Sequence, residues 1–156
     1  MDRQTDISPG AFDRARDVYG AKLLILFGTR MPVILRDNRS DIPDPNKLDL
    51  PGGGREAGES AVECVLRETR EELSLGLAPR DLHYGRAYRN GAGREVWFFA
   101  AHLDYARLDE IALGDEGQSW HLMQMAEYLS HASGIVAFQD RLADYLAWAG
   151  ARVPPR

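Results

Sequence analysis

LDLPGGGREAGESAVECVLRETREELSLGL, Leu48 to Leu77, holds three consecutive glycines, a short acidic turn and a run with helical periodicity. Ser60 followed three residues later by Glu63 is a capping box, so a helix is expected from about Ser60 to Leu73. At about 100° per residue, Val62, Val65, Leu66, Thr69 and Leu73 fall on one face, the buried one. Glu68, Glu71 and Glu72 stand at i, i+3 and i+4 on another. Like charges at that spacing cost a helix about 0.2–0.5 kcal/mol per pair, and the helix dipole disfavours anions in its C-terminal half. Arg67 and Arg70 offset part of this from neighbouring sectors. Ala61 and Cys64, both small, continue the acidic face and are expected to leave room above it. Crowded carboxylates with open space beside them suit a hard divalent cation such as Mg2+, which takes oxygen ligands and relieves the repulsion. A solvated surface helix is the plainer alternative for the helix alone.

The glycines change that balance. Gly53, five residues, Glu59, seven residues, Arg67-Glu68, two residues and Glu71-Glu72 form a pattern that resembles the box of the Nudix hydrolases, here spanning Gly53–Leu75. Six fixed residue types at these spacings arise by chance with a probability on the order of 10^-5. Two positions depart from the usual box: Thr69 replaces a larger aliphatic residue and Ser74 replaces glycine. Gly76 is then the candidate for the left-handed residue that ends the helix.

The resemblance implies an α/β protein, an α/β/α sandwich with a mixed β-sheet, that cleaves a phosphoanhydride with the help of Mg2+, or Mn2+ in its place. It implies Glu68, Glu71 and Glu72 as the metal-binding set, with a backbone carbonyl near Gly53 as a further ligand. Gly52, Gly54, Glu59 and Arg67 are then architectural, with Arg67 bracing the carboxylates. The general base comes from the box helix, Glu68 or Glu71, or from outside it. Glu116 is the outside candidate, because GDEGQSWHLM is similar to the segment where MutT-type members carry an extra metal-binding glutamate before glycine and glutamine. An exposed turn acid is the alternative there.

The 156 residues suffice for one domain over 1–156, and fractions of 44% hydrophobic and 28% charged are those of an ordinary globular chain. A formal charge of −5 argues against binding a nucleic-acid polymer, though not a free nucleotide. The lone Cys64 cannot form an intramolecular disulfide and reads as a packing residue. With no apolar run near about 20 residues and no leader-like start, a cytoplasmic protein without membrane contact is expected, as monomer or homodimer. The four histidines, at 83, 102, 121 and 131, lack zinc-ligand spacing.

Along the chain, Ala11–Tyr19 is expected as a short helix, then Ala21–Phe27 as a strand buried on both faces. Strands are expected at Met31–Leu35, Leu48–Leu50, Leu82–Arg89, Glu95–Leu103 and Ser119–Met123, with Pro51–Gly54 as a turn. Asn90-Gly91-Ala92-Gly93 is a hairpin signal. Asp104–Leu113 is expected to loop or make one helical turn. Met125–Ser130 and Ile135–Trp148 read as helices, and the tail from 150 to 156 as frayed. The loop from Asp37 to Lys47 is polar, so Arg36, Arg39 and Asn46 are candidate substrate contacts. Trp97 and Phe99 share a strand face and are candidates to stack on a nucleobase, against a core role that is favoured for each.

For the substrate, Asn46-Lys47-Leu48 and GDEGQ lean towards the MutT-type group, which cleaves a (d)NTP to a nucleoside monophosphate and pyrophosphate. Residues 133–138 carry no asparagine of the kind that reads oxidised guanine in that group. ADP-ribose or a nucleotide sugar is the second reading, and a nucleotide-sensing module without catalysis the third.

Overall fold

In the computed structural model of the chain the described residues are 18–152. The expected N-terminal helix and the end of the tail lie outside them, except that Val18 and Tyr19 are not helical. Seven strands and three α-helices follow: β1 (Gly20–Leu26), β2 (Arg30–Leu35), β3 (Leu48–Asp49), β4 (Gly52–Gly54), α1 (Ala61–Leu73), β5 (Leu82–Arg89), β6 (Glu95–His102), β7 (Ser119–Gln124), α2 (Met125–Ser130) and α3 (Val136–Arg152). Tyr105–Glu110 makes the expected turn of helix, of the 3-10 type.

The mixed sheet runs β4-β1-β6-β5, with β1 parallel to β6 and the outer pairs antiparallel. A second, antiparallel sheet runs β3-β2-β7. The turn at Gly28 links the two, closed by reciprocal backbone bonds between Phe27 and Arg30. The continuous apolar run of β1 has the expected consequence. Leu23, Ile25 and Phe27 pack on one side with Val62, Val65 and Leu73 of α1, while Leu24 and Leu26 pack on the other with Tyr128, Leu142 and Tyr145 of α2 and α3. Helix, strands and helices thus form the α/β/α layers. No helix among the described residues is long and apolar enough to cross a membrane.

Two local expectations change. Pro51–Gly54 is not simply a turn, because Gly52–Gly54 forms an edge strand on β1 with Gly52 paired to Lys22 and Gly54 to Gly20. Gly52 has φ of 133° and its missing Cβ would lie 2.1 Å from the Ala21 carbonyl oxygen, so a side chain there would drive β4 off β1. Ser74, not Gly76, takes the left-handed conformation at the end of α1, with φ of 61°. Its hydroxyl donates to the Ala112 carbonyl at 3.0 Å, a tertiary bond that helps to hold the strained conformation.

Candidate active site

The capping box is formed as read: the Glu63 N–H donates to Ser60 Oγ and the Ser60 N–H to Glu63 Oε1, both at 3.1 Å. With α1 started there, Glu68 and Glu72 face β4. Ala61 and Cys64 are fully buried, so they do not leave open space above the acids as expected. The glycine strand lies on Cys64, whose Sγ is 3.4 Å from the Gly53 carbonyl oxygen. Burial pushes the Cys64 thiol up to about 11, which fits a packing role.

Arg67 organises the head of the helix. Its Nε and Nη2 donate to the two oxygens of Glu59 at 2.7 and 3.0 Å, Nη2 also to the Gly54 carbonyl, and Nη1 to Glu68 and Glu71 at 3.1 Å each. The guanidinium therefore ties the acidic turn, the glycine strand and two carboxylates together. It also holds Glu59 below the ordinary carboxylate range.

At the other end of β4, Glu72 Oε2 accepts the Gly52 N–H at 3.3 Å. Burial pushes its carboxyl well above the usual range; Lys22 opposes this, while hydrogen bonding to Glu68 and the charge of Asp49 add to it. Glu72 also lines a cavity of about 150 Å³ with Arg36, Arg39, Asp49 and Glu116. That cavity brings together residues 80 positions apart in sequence.

Glu116 arrives there through backbone contacts with the end of α1. The N–H groups of Ala112 and Gly114 cap the carbonyls of Leu73 and Glu72 at 3.0 and 2.9 Å. Gly117, with φ of 92° and no room for a Cβ beside Ile34, then turns the chain, and its N–H meets Asp37 Oδ2 at 3.3 Å. Gln118 donates to the Arg36 carbonyl and to Asn46 Oδ1 at 2.7 and 2.9 Å. Asn46 is thus a loop tie and does not line the cavity. Arg39 lines it while paired with Asp41; both side chains are more than 60% exposed, so the pair is weak and displaceable.

Trp97 and Phe99 do not reach the cavity. They stack on each other with centroids 5.6 Å apart, 5% and 0% exposed, on the sheet face that α1 covers. No nucleobase can reach either ring, and the core role holds for both.

Sequence reading missed Lys22 and Asp49. Asp49 is 6% exposed and bonded to Lys22 Nζ at 3.0 Å and to Arg36 Nη1 at 2.8 Å. Lys22 also donates to the carbonyls of Leu50 and Gly52 at 3.1 and 2.9 Å. The available signal was a single charge inside each of two apolar runs, AKLLILF and LDL.

As they stand, no three His, Cys, Asp or Glu side chains among the described residues are gathered to hold a metal ion. Glu68 and Glu71 are turned onto Arg67, and Glu72 onto Gly52. The residues nevertheless fit a divalent ion. A Cβ on Gly53 would lie 2.8–3.0 Å from the Glu68 carboxyl atoms, so only glycine lets that carboxylate approach the strand. Glu68 and Glu72 both bring carboxylate oxygens to the glycine strand, where a cation would offset the cost of burying the Glu72 charge beside like charges.

Known structures share this fold. A C. elegans Ap4A hydrolase, solved as a binary complex, superposes with a TM-score of 0.67 at 20% identity, over 85% of this chain and 98% of that one. A MutT protein from Methanosarcina mazei Go1 gives 0.65 at 20% identity, over 85% and 94%. A bifunctional NMN adenylyltransferase/ADP ribose pyrophosphatase from Francisella tularensis, complexed with AMP and a Mn ion, gives 0.60 at 16% identity, over 86% and 42%. At such identities the likeness concerns the fold. No curated protein sequence matches the chain. The family model described as NUDIX domain matches residues 20–146. With that match over most of its length, the chain belongs to the NUDIX domain family and is a hydrolase of pyrophosphate bonds.

Proposed function

We propose that the chain is a Mg2+-dependent pyrophosphohydrolase that cleaves a (d)NTP to a nucleoside monophosphate and pyrophosphate. The observation that carries this reading is the cavity where Glu72 and Glu116 face Arg36 and Arg39 beside the glycine strand. Two guanidiniums suit the oxygens of a phosphate chain, and the carboxylates suit the ion and the attacking water.

Glu68, Glu71, Glu72 and the Gly53 carbonyl would hold the ion, with Glu116 as the outside carboxylate. When bound, Mg2+ (or Mn2+) supplies charge neutralisation of the diphosphate and stabilises developing charge on its non-bridging oxygens. Arg36 is fixed for phosphate binding by its bond to Asp49, while Arg39 exchanges Asp41 for substrate. Glu116, exposed at the cavity wall, accepts the proton of the attacking water. Glu59 and Arg67 hold the helix and strand in register and do not touch substrate.

Glu116→Gln tests the assignment. Turnover of dNTPs should fall at least about tenfold with the fold unchanged by circular dichroism, and wild-type turnover would remove Glu116 from the site.

A further inference from the structure

A second and larger cavity, of about 710 Å³, opens at the Gly54 end of the glycine strand, away from Glu72. Tyr19, Arg55, Arg89, Arg94 and Glu95 line it with Gly54. The backbone builds it firmly: the Arg55 N–H donates to the Tyr19 carbonyl at 3.0 Å, and the Tyr19 N–H to the Glu95 carbonyl at 2.8 Å. These bonds fix the lips of β4, β1 and β6 against one another. Arg89 and Arg94 come from the two sides of the β5–β6 hairpin, where Asn90 Oδ1 accepts the N–H groups of Ala92 and Arg94 at 3.0 Å. Arg89 Nη1 is oriented by the Gly93 carbonyl at 2.9 Å, and the Arg94 guanidinium lies 5.0 Å over the half-exposed Tyr19 ring.

The charge of this groove is opposite to that of the chain. Three guanidiniums meet one carboxylate, Glu95, which accepts the Trp97 indole N–H at 3.2 Å, whereas the chain carries a formal −5. Arginine forks match phosphate oxygens two at a time. The groove also adjoins Gly54, next in the chain to the Gly53 carbonyl that the metal site would use. We propose that this groove is a phosphate subsite, which binds the phosphoryl groups of a nucleotide's polyphosphate chain lying beyond the bond that is cut. It rests on the pyrophosphohydrolase reading for its place in the reaction, but not for its ability to bind an anion. The same chemistry serves the terminal phosphates of a nucleoside triphosphate or the second half of a dinucleoside polyphosphate, whose far base could lie on Tyr19 and Arg94.

Calorimetry with inorganic tripolyphosphate in EDTA tests the groove without turnover, on the full chain. Binding is expected for wild type and should weaken at least about tenfold in the Arg89→Gln/Arg94→Gln variant. No binding by wild type, or equal affinity in a folded variant, overturns the proposal. With Mg2+ present, the variant should raise KM about tenfold with kcat little changed. A rise for both a dNTP and diadenosine tetraphosphate assigns the groove to the shared phosphates, and a rise for the dinucleotide alone assigns it to the second nucleotide. Tripolyphosphate binding that depends on the arginines, without hydrolysis of any nucleotide, would uphold the groove while defeating the pyrophosphohydrolase reading.

Discussion

Arg67 and Glu59, eight residues apart in the chain, are joined by two hydrogen bonds of 2.7 and 3.0 Å. The pair makes the head of α1 and the acidic turn one rigid unit, and the same guanidinium holds Glu68 and Glu71. Arg67→Gln should therefore destabilise the protein by about 2 kcal/mol in urea denaturation, since bonds to charged groups are lost and like carboxylates are left together. Arg67→Lys should recover only part, because an ammonium cannot reproduce the fork. Full recovery by lysine would mean that charge alone matters there.

Lys22 saturates its ammonium with Asp49 and the carbonyls of Leu50 and Gly52. Lys22→Met should cost about 2–4 kcal/mol, leaving Asp49 with Arg36 and the Leu50 N–H alone, and the Leu50 and Gly52 carbonyls without the ammonium. Lys22→Met combined with Asp49→Asn should be less damaging than the sum of the two, by about 1–3 kcal/mol. Strict additivity would show that the ammonium and carboxylate are not coupled.

Glu72 gives the metal-free protein a distinctive pH response. Its folded carboxyl is pushed up to about 8 from 4.5, so between those values the folded state holds a proton that the unfolded state has lost. The stability it contributes is full below about pH 4.5 and declines as pH rises towards about 8. Denaturation midpoints in EDTA should show this decline in wild type and a flatter profile in Glu72→Gln. Mg2+ should restore stability at pH 8.5 in wild type more than in the variant. Identical profiles would mean that Glu72 is ionised throughout.

His83 acts in the opposite sense. Burial first, and then the neighbouring His102 ring stacked 4.4 Å away, lower it from 6.5 to about 4. Its Nε2 lies 2.7 Å from the Tyr145 hydroxyl, and its buried Nδ1 has no hydrogen-bond partner among the described residues. The unfolded state thus takes up a proton that the folded state refuses. The stability is complete above pH 6.5 and falls as pH drops towards about 4. The difference between wild type and His83→Gln should follow that window. An imidazole titrating near 6.5 by NMR would contradict the burial.

Local signals made much of this legible in sequence. Ser60 and Glu63 lie within one helical turn, so the cap could be read, and the same holds for the periodicity that buried Val62, Val65, Thr69 and Leu73. The glycine and glutamate spacing could be read as a candidate site because the strand and the helix that carry those residues, Gly52–Gly54 and α1, are adjacent in sequence. What could not be read depends on distant partners. Ser74 is left-handed partly because Ala112 accepts its hydroxyl, and Gly52–Gly54 is a strand because Gly20 and Lys22 lie beside it. Lys22 and Asp49 are separated by 27 residues and meet only once both sheets form. Alternation along β6 correctly paired Trp97 with Phe99, but only the position of α1 determines that their face is closed.

The most direct measurement is incubation of wild type and Glu72→Gln with a panel of dNTPs, nucleotide sugars, ADP-ribose and dinucleoside polyphosphates, with and without Mg2+, resolving products by anion exchange. Wild type should release nucleoside monophosphate and pyrophosphate from a dNTP only with Mg2+ present. Turnover should fall at least about a hundredfold in a folded Glu72→Gln. Turnover that needs no divalent ion, or that survives in Glu72→Gln, would contradict the Mg2+-dependent pyrophosphohydrolase reading.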